Sequence, residues 1–298
     1  MRRTYNDESS IEIKPYFYID NLNLRTKNIK ILKQASSAPT VTVEYSLDGQ
    51  RTWQSQTTGG FSVNAPSMSR VYFRANASAW GSSASYNYFS LEANDSGCYY
   101  EFGGNIMSLL YGENFNINDN YLTLPNTSWH FKYLFTGITA SFRCYSLRLT
   151  AQKALKESYY RMFYNATGLT YAPIKIYAST NNGSNSMDRM FEGCSNMVEG
   201  PIFRMSFTGS NTMQGMFQNC VKLTTLTYMG TNTTSQSTSS ANNILNNTAV
   251  SNGDNALVML VLHSSVGGYF SSFWNSLKNT TMRFSIIPTS QEFFPLTP

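Results

Sequence analysis

Residues 185–197 read NSMDRMFEGCSNM, a sulfur-rich, aromatic cluster in a chain otherwise heavy in Asn, Ser and Thr. If the cluster occurs once, a metal or redox site is the natural reading. If it recurs at a fixed spacing, it is packing. It recurs: Met162-Phe163, Met190-Phe191 and Met216-Phe217 lie 28 and 26 residues apart, and further steps of 28 reach Leu134-Phe135 and Ile244-Leu245. These ten residues form the expected structural ladder.

Each unit repeats one apolar spacing. The sets are Phe131/Leu134/Phe135/Ile138, Tyr159/Met162/Phe163/Ala166, Met187/Met190/Phe191/Cys194, Met213/Met216/Phe217/Cys220 and Ala241/Ile244/Leu245/Thr248. Spacing of i, i+3, i+4, i+7 puts such residues on one stripe of a short helix. Ser158, Ser186, Thr212 and Ser240 precede four of the sets as helix N-caps, and His130 breaks the pattern in the first. Gly137, Asn165, Gly193, Asn219 and Asn247 suit a left-handed residue at the helix end. A strand-like segment follows each helix, and Pro173 and Pro201 stand where a strand begins without donating a hydrogen bond. Cys194 and Cys220 occupy the position filled elsewhere by Ile138, Ala166 and Thr248, which selects small volume and not thiol chemistry.

The expected fold is mixed α/β. An N-terminal antiparallel β-sandwich-like domain spans 21–97 and an N-terminal cap 98–130. A leucine-rich-repeat-type solenoid of about five repeats, one strand and one short helix per 26–28 residues, spans 131–262, with a C-terminal cap over 263–298. Residues 1–20 are read as a docking or flexible segment. In the front half, Val41, Val43 and Tyr45 alternate up to the tight-turn pair Asp48-Gly49, and Trp53 lies on the return strand of the hairpin. GGFSVNAP and SRVYFRANA supply further strands. RTKNIKILK, with Arg25, Lys27, Lys30 and Lys33, reads as a solvated strand edge.

Bulk properties exclude several functions. Of 298 residues 13% are charged, and 22 basic against 17 acidic side chains leave only +5, too sparse for a nucleic-acid-binding face. The four cysteines are dispersed, no Cys-x-x-Cys occurs, and the histidines are His130 and His263, so no zinc site, other metal or cofactor is expected. The opening residues MRRTYNDESSIEIKPYFYID lack the apolar run of a secretory signal. ALVMLVL at 256–262 is too short to insert in a membrane. Asp188 and Glu192 form an i, i+4 acid pair but read as a solvated surface pair. No nucleophile, phosphate-loop or zinc-protease motif is present, so no catalytic residue is assigned and the chain is read as non-enzymatic.

The phrases YYRMFYNATGLTYAPI, MDRMFEGCSNMVEGPI and MQGMFQNCVKLTTL resemble the leucine-rich repeats of the Bacteroides surface protein A type. FGGNIMSLLYGENF, at 102–115, resembles a preamble to such repeats in proteins of gut Bacteroidetes and their phages. The resemblance implies an adhesive or structural surface protein. With no signal, it implies a phage virion protein, as a head or tail fibre or capsid decoration on the virion surface, ahead of a bacterial cell-surface adhesin. A glycan-degrading virion enzyme ranks third. The implied partners are other virion proteins through the N-terminal segment, a host-surface protein or glycan, and further copies in a dimer or trimer. The outward strand positions Arg148, Lys175, Tyr177, Arg204 and Tyr228 are the expected binding residues, since aromatic and cationic side chains on a rigid sheet suit weak, multiplied contacts.

Overall fold

The computed structural model describes residues 13–34, 38, 40–57, 60–83, 88–93, 95–116, 124, 125, 128–151, 153–181, 183–207, 209–230, 244, 245, 248, 257–263 and 283–289. For 89, 175, 177–181, 203–207, 227–230 and the last two segments only the backbone is described. The front of the chain forms β1 (Phe17–Asn21), β2 (Lys27–Lys33), β3 (Thr42–Ser46), β4 (Gln54–Thr57), β5 (Phe61–Ala65), β6 (Ser69–Ala75), β7 (Phe89–Glu92) and β8 (Tyr99–Asn105). A four-residue helix, α1 (Ser108–Tyr111), and one 3-10 turn (Gly112–Asn114) follow. The repeats supply β9 (Ser141–Arg143), β10 (Leu147–Arg148), β11 (Lys153–Ala154), β12 (Leu169–Tyr171), β13 (Lys175–Asn181), β14 (Glu199–Phe207), β15 (Thr225–Gly230) and β16 (Leu257–His263). The last is β17 (Arg283–Thr289).

One 14-stranded sheet runs through the whole described chain, in the order β17-β16-β15-β14-β12-β9-β8-β1-β6-β3-β4, with β10, β11 and β13 off this path. From β8 to β17 its path is parallel; from β8 to β4 it is antiparallel. A second sheet, β5-β2-β7, covers the front. Alternation explains the layering. Phe17, Ile19, Val43, Val71 and Phe73 of the large sheet and Ile29, Ile31, Val63 and Leu91 of the small one are buried in one core. The basic run is therefore not an edge: β2 sits between β5 and β7, with Ile29 and Ile31 inward. Pro201 lies in β14 where the register with β15 shifts, so its missing N–H breaks no regular ladder.

Among the described residues the repeats contain no helix, and the expected helix-per-repeat, leucine-rich-repeat-type architecture is wrong. Among the described residues α1 and the 3-10 turn are all the helix there is. Ala241 of the fifth apolar set lies outside the described residues, and the first four sets lie on rows of tight turns with a left-handed residue at every fourth position. These are Trp129, Tyr133 and Gly137; then Glu157, Arg161 and Asn165; then Asn185, Arg189 and Gly193; then Asn211, Gly215 and Asn219, with φ from 51° to 77°. No right-handed helix accommodates such residues in its interior. The spacing misled because a four-residue turn repeated in line also brings i, i+3, i+4 and i+7 to one side.

Hydrogen bonding follows the same rule. Ser158, Tyr160, Met162, Tyr164 and Ala166 donate their N–H to the carbonyl three residues back. The alternate residues 157, 159, 161, 163 and 165 donate to the carbonyls of 184, 186, 188, 190 and 192 in the next rung, at 2.8–3.1 Å. The same five-bond pattern joins 129–137 to 156–164 and 185–193 to 210–218, always with N–H pointing toward the higher residue number. Ser158 is accordingly no N-cap; its hydroxyl donates to the Leu155 carbonyl.

The inward columns are buried. Phe135, Phe163, Phe191 and Phe217 are fully buried and their ring centroids follow one another at 5.2, 5.1 and 5.5 Å. Leu134, Met162, Met190 and Met216 are buried beside them, and Ile244 and Leu245 are 4% and 5% exposed. Each such side chain contributes about 1.5–3 kcal/mol. The phenylalanine column runs on into the front core, since Phe17 and Phe102 lie 5.6 and 5.3 Å from Phe135. The front also closes the first rung: Trp80 N–H donates to the His130 carbonyl and Leu91 N–H to the Leu134 carbonyl, each at 2.8 Å. Beside them buried Lys132 donates to the Ser82 carbonyl and, at 2.9 Å, to Glu157. The segment expected to dock elsewhere is divided: β1 holds residues 17–20 between β6 and β8, while 1–12 lie outside the described residues.

Candidate binding surface

Among the described side chains the four thiols and the His130 ring are shut inside. Cys194 Sγ donates to the Phe163 carbonyl at 3.1 Å and Cys220 Sγ to the Phe191 carbonyl at 3.0 Å. Burial pushes the thiols of Cys144, Cys194 and Cys220 well up, which keeps them from forming thiolates. The His130 ring is buried, with Nε2 donating to the Pro125 carbonyl at 3.0 Å and Nδ1 3.2 Å from Ser158 Oγ. Burial pulls it down to about 4, opposed by the Pro125 bond. Among the described residues no group of three or more His, Cys, Asp or Glu is placed to hold a metal ion.

The outer face of the large sheet carries the accessible chemistry. Strand register joins Arg70, Asp20, Glu101, Arg143, Tyr171, Glu199 and Thr225 into one row across seven strands and the two halves of the molecule. Arg70 forks onto Asp20 at 2.7 and 2.8 Å and lies 3.5 Å above the Tyr18 ring centroid. That ring covers Gly103, where a Cβ would sit 2.3 Å from it. Arg74 forks onto Glu44 and lies 4.1 Å from the Trp53 ring centroid. Arg143 places two nitrogens on Glu101 Oε2, at 2.8 and 2.6 Å, while Ser146 Oγ donates to Glu101 Oε1. Next to this, the rings of Tyr145 and Tyr171 stack at 4.9 Å and 23°, and Tyr145 OH donates to Glu199 Oε2 at 3.0 Å. Burial, then the Glu199 bond, pushes the Tyr145 phenol up to about 12.

The five binding residues expected from sequence are distributed as follows. Arg148 is exposed on β10. Leu149 is bridged to Ile176, which sets Arg148 in line with Lys175, and Tyr177 pairs with Arg204. These four share one strand parity. Tyr228 does not: it pairs with Phe203, and Phe203 with Ile176, whose side chain is buried. The side chains of Lys175, Tyr177, Arg204 and Tyr228 lie outside the described residues. Sequence reasoning missed Tyr18, Arg70, Tyr72, Arg143, Tyr145 and Tyr171. Alternation in FYID and RVYFRA signalled outward positions, but their assembly depends on pairings made over long stretches of chain.

The turn rows present a second outer face, ordered as a grid. Arg161 lies 4.6 Å from the Tyr164 ring centroid and donates to Tyr133 OH at 2.8 Å. The Asp188–Glu192 pair is not the solvated pair that the sequence suggests. Asp188 is 5% exposed, and Arg189 Nε lies 3.9 Å from its Oδ1 and 3.4 Å from Glu192 Oε2. Burial pushes the Asp188 carboxyl up to about 6, against the pull of Arg189 and Arg161 and with a push from Glu192 and Glu157. Among the described residues no helix is long and apolar enough to cross a membrane.

Compared with known proteins, the chain matches no family model, no curated protein and no solved structure.

Proposed function

We propose that the chain is a non-enzymatic structural protein of a phage virion, a head or tail fibre or capsid decoration, that holds a recognition surface against a host-surface protein or glycan. The observation that supports this most is the division of chemistry. Thiols and the His130 imidazole are spent on packing, while Tyr, Arg and carboxylate side chains line a rigid sheet face spanning both halves. A stack whose rungs share a continuous core and five bonds per junction transmits force without bending much, which suits a displayed attachment element. The virion assignment leans on the likeness of the three repeat phrases and of residues 102–115 to proteins of phages of gut Bacteroidetes. Copies on one particle multiply weak contacts, and a dimer or trimer does the same within one element.

The test is localisation. Antibody raised against the recombinant protein should label purified particles in electron microscopy, and peptides from the chain should be found in those particles after density-gradient purification. Labelling of the bacterial surface with none on particles would transfer the assignment to a cellular adhesin.

A further inference from the structure

We infer that the corner formed by Tyr145, Tyr171, Glu199 and the Arg143–Glu101 pair is a subsite for one pyranose ring of an uncharged surface glycan. This rests on the attachment reading above. Tyr145 is the platform of this corner. Its ring lies against Tyr171 at 23° and its hydroxyl is tied to Glu199, so both its tilt and its rotation are set before any ligand arrives. Yet the residue is only half-buried, in the turn between β9 and β10. A half-exposed aromatic ring held at one face by another ring and at its tip by a carboxylate has no loose motion to lose on binding. The apolar C–H face of a pyranose is weakly positive and seats on the negative face of an aromatic ring.

The polar groups around the platform choose among sugars. Arg143 is already forked on Glu101 Oε2, and Glu101 Oε1 holds Ser146 Oγ, so this cation has its charge met within the protein. Glu199 is exposed and accepts the Tyr145 hydroxyl through Oε2, leaving Oε1 to accept sugar hydroxyls. Two carboxylates and one guanidinium give the corner a slight negative excess. A sialylated, uronic or sulfated residue would be repelled, while hydroxyl-rich neutral rings gain charge-assisted bonds to carboxylate oxygen. Rows of such rings along a glycan can follow the register row from Glu101 to Glu199, which crosses four strands.

The experiment uses the full chain and an array of neutral gluco-, galacto- and manno-oligosaccharides, with sialylated and sulfated glycans as comparators. It is followed by saturation-transfer NMR on any neutral oligosaccharide retained. At least one neutral oligosaccharide should bind, with transfer strongest to ring C–H protons. Tyr145→Ala should weaken it at least tenfold and Tyr145→Phe about threefold, while Tyr145→Trp keeps it. Unchanged circular dichroism and melting in the variants separates loss of the site from loss of fold. No neutral ligand, preference for the acidic glycans, or full binding by a folded Tyr145→Ala protein would each overturn the subsite. Particle labelling is read separately: sugar binding by a protein absent from particles defeats the virion reading alone, and a labelled particle with a Tyr145-independent protein defeats the subsite alone.

Discussion

In the front of the molecule β1 takes antiparallel partners on both sides, Phe17–Asn21 pairing with β6 and with β8, so its backbone groups are met by strands far away in sequence. In the turn rows half of the N–H groups are met three residues back and the other half by the following rung. The front is thus assembled by long-range pairing between two layers, and the stack by repeating one short rule. The two regions depend on one another at their junction: the first rung's carbonyls at His130 and Leu134 take their donors from Trp80 and Leu91 of the front, and the Leu91 amide of β7 is in turn met by the turn row. Phe135, shared between the phenylalanine column and Phe17 and Phe102, makes the two regions one core.

Emptying the phenylalanine column should weaken the molecule most. Phe191→Ala removes a fully buried ring flanked by Phe163 and Phe217. It should cost about 3–5 kcal/mol. Urea unfolding followed by fluorescence and circular dichroism should still show a single shifted transition; a separate early transition for the stack would show that the shared core does not couple the regions. Next comes the clamp. Lys132→Ala leaves Glu157 without its 2.9 Å partner and the Ser82 carbonyl without a donor, and should cost about 3 kcal/mol. Hydrogen exchange should rise at Trp80 and across the first rung before it rises in β2.

The third test is pH. His130, held down to about 4 from 6.5, stays neutral when folded, so its contribution to stability is lost as pH falls through 6.5 toward 4. Asp188, raised to about 6 from 3.8, binds its proton more tightly when folded, so its contribution is lost as pH rises through 3.8 toward 6. Each shift is worth at most about 3 kcal/mol. The two slopes oppose one another over the same range, and wild-type stability should change little between pH 4 and 6.5. Asp188→Asn should uncover the histidine slope, raising stability steeply with pH; a flat profile in that variant would sink the assignment. The smallest effect is the most diagnostic. Were Met213–Cys220 a helix, Gly215→Ala would stabilise by about 1 kcal/mol. With φ at +55° it should instead destabilise by about 1 kcal/mol, measured by the shift in urea midpoint.

Much of the stack was legible in the sequence and its secondary structure was not. The period, the inward residues and the left-handed residues at Gly137, Asn165, Gly193 and Asn219 follow from local spacing and local backbone preference. The turn rows hid behind that same spacing. The missed clue was Gly215 in the middle of one set, together with Asn211 ahead of that set and Asn185 ahead of the one before it, all at left-handed positions. The binding surface was less visible. Arg70 reaches Asp20 and Tyr18 across some fifty residues of chain, and Arg143 reaches Glu101 across 42, contacts that no local pattern encodes. Tyr228 falls on the parity opposite to the other four because the β14–β15 register shifts beside Pro201, which residue spacing alone does not give.

The one-way orientation of the turn-row bonds has a consequence for how such a molecule can change length. Peptide dipoles aligned along a common direction add, so the stack carries a head and a tail. Its negative head is met by the Trp80 and Leu91 amides. Duplicating or deleting a whole unit between two interior junctions leaves both ends untouched and alters reach by about 4.8 Å, one strand spacing. A protein built this way can be lengthened like a zip, tooth by tooth, without redesigning its anchor.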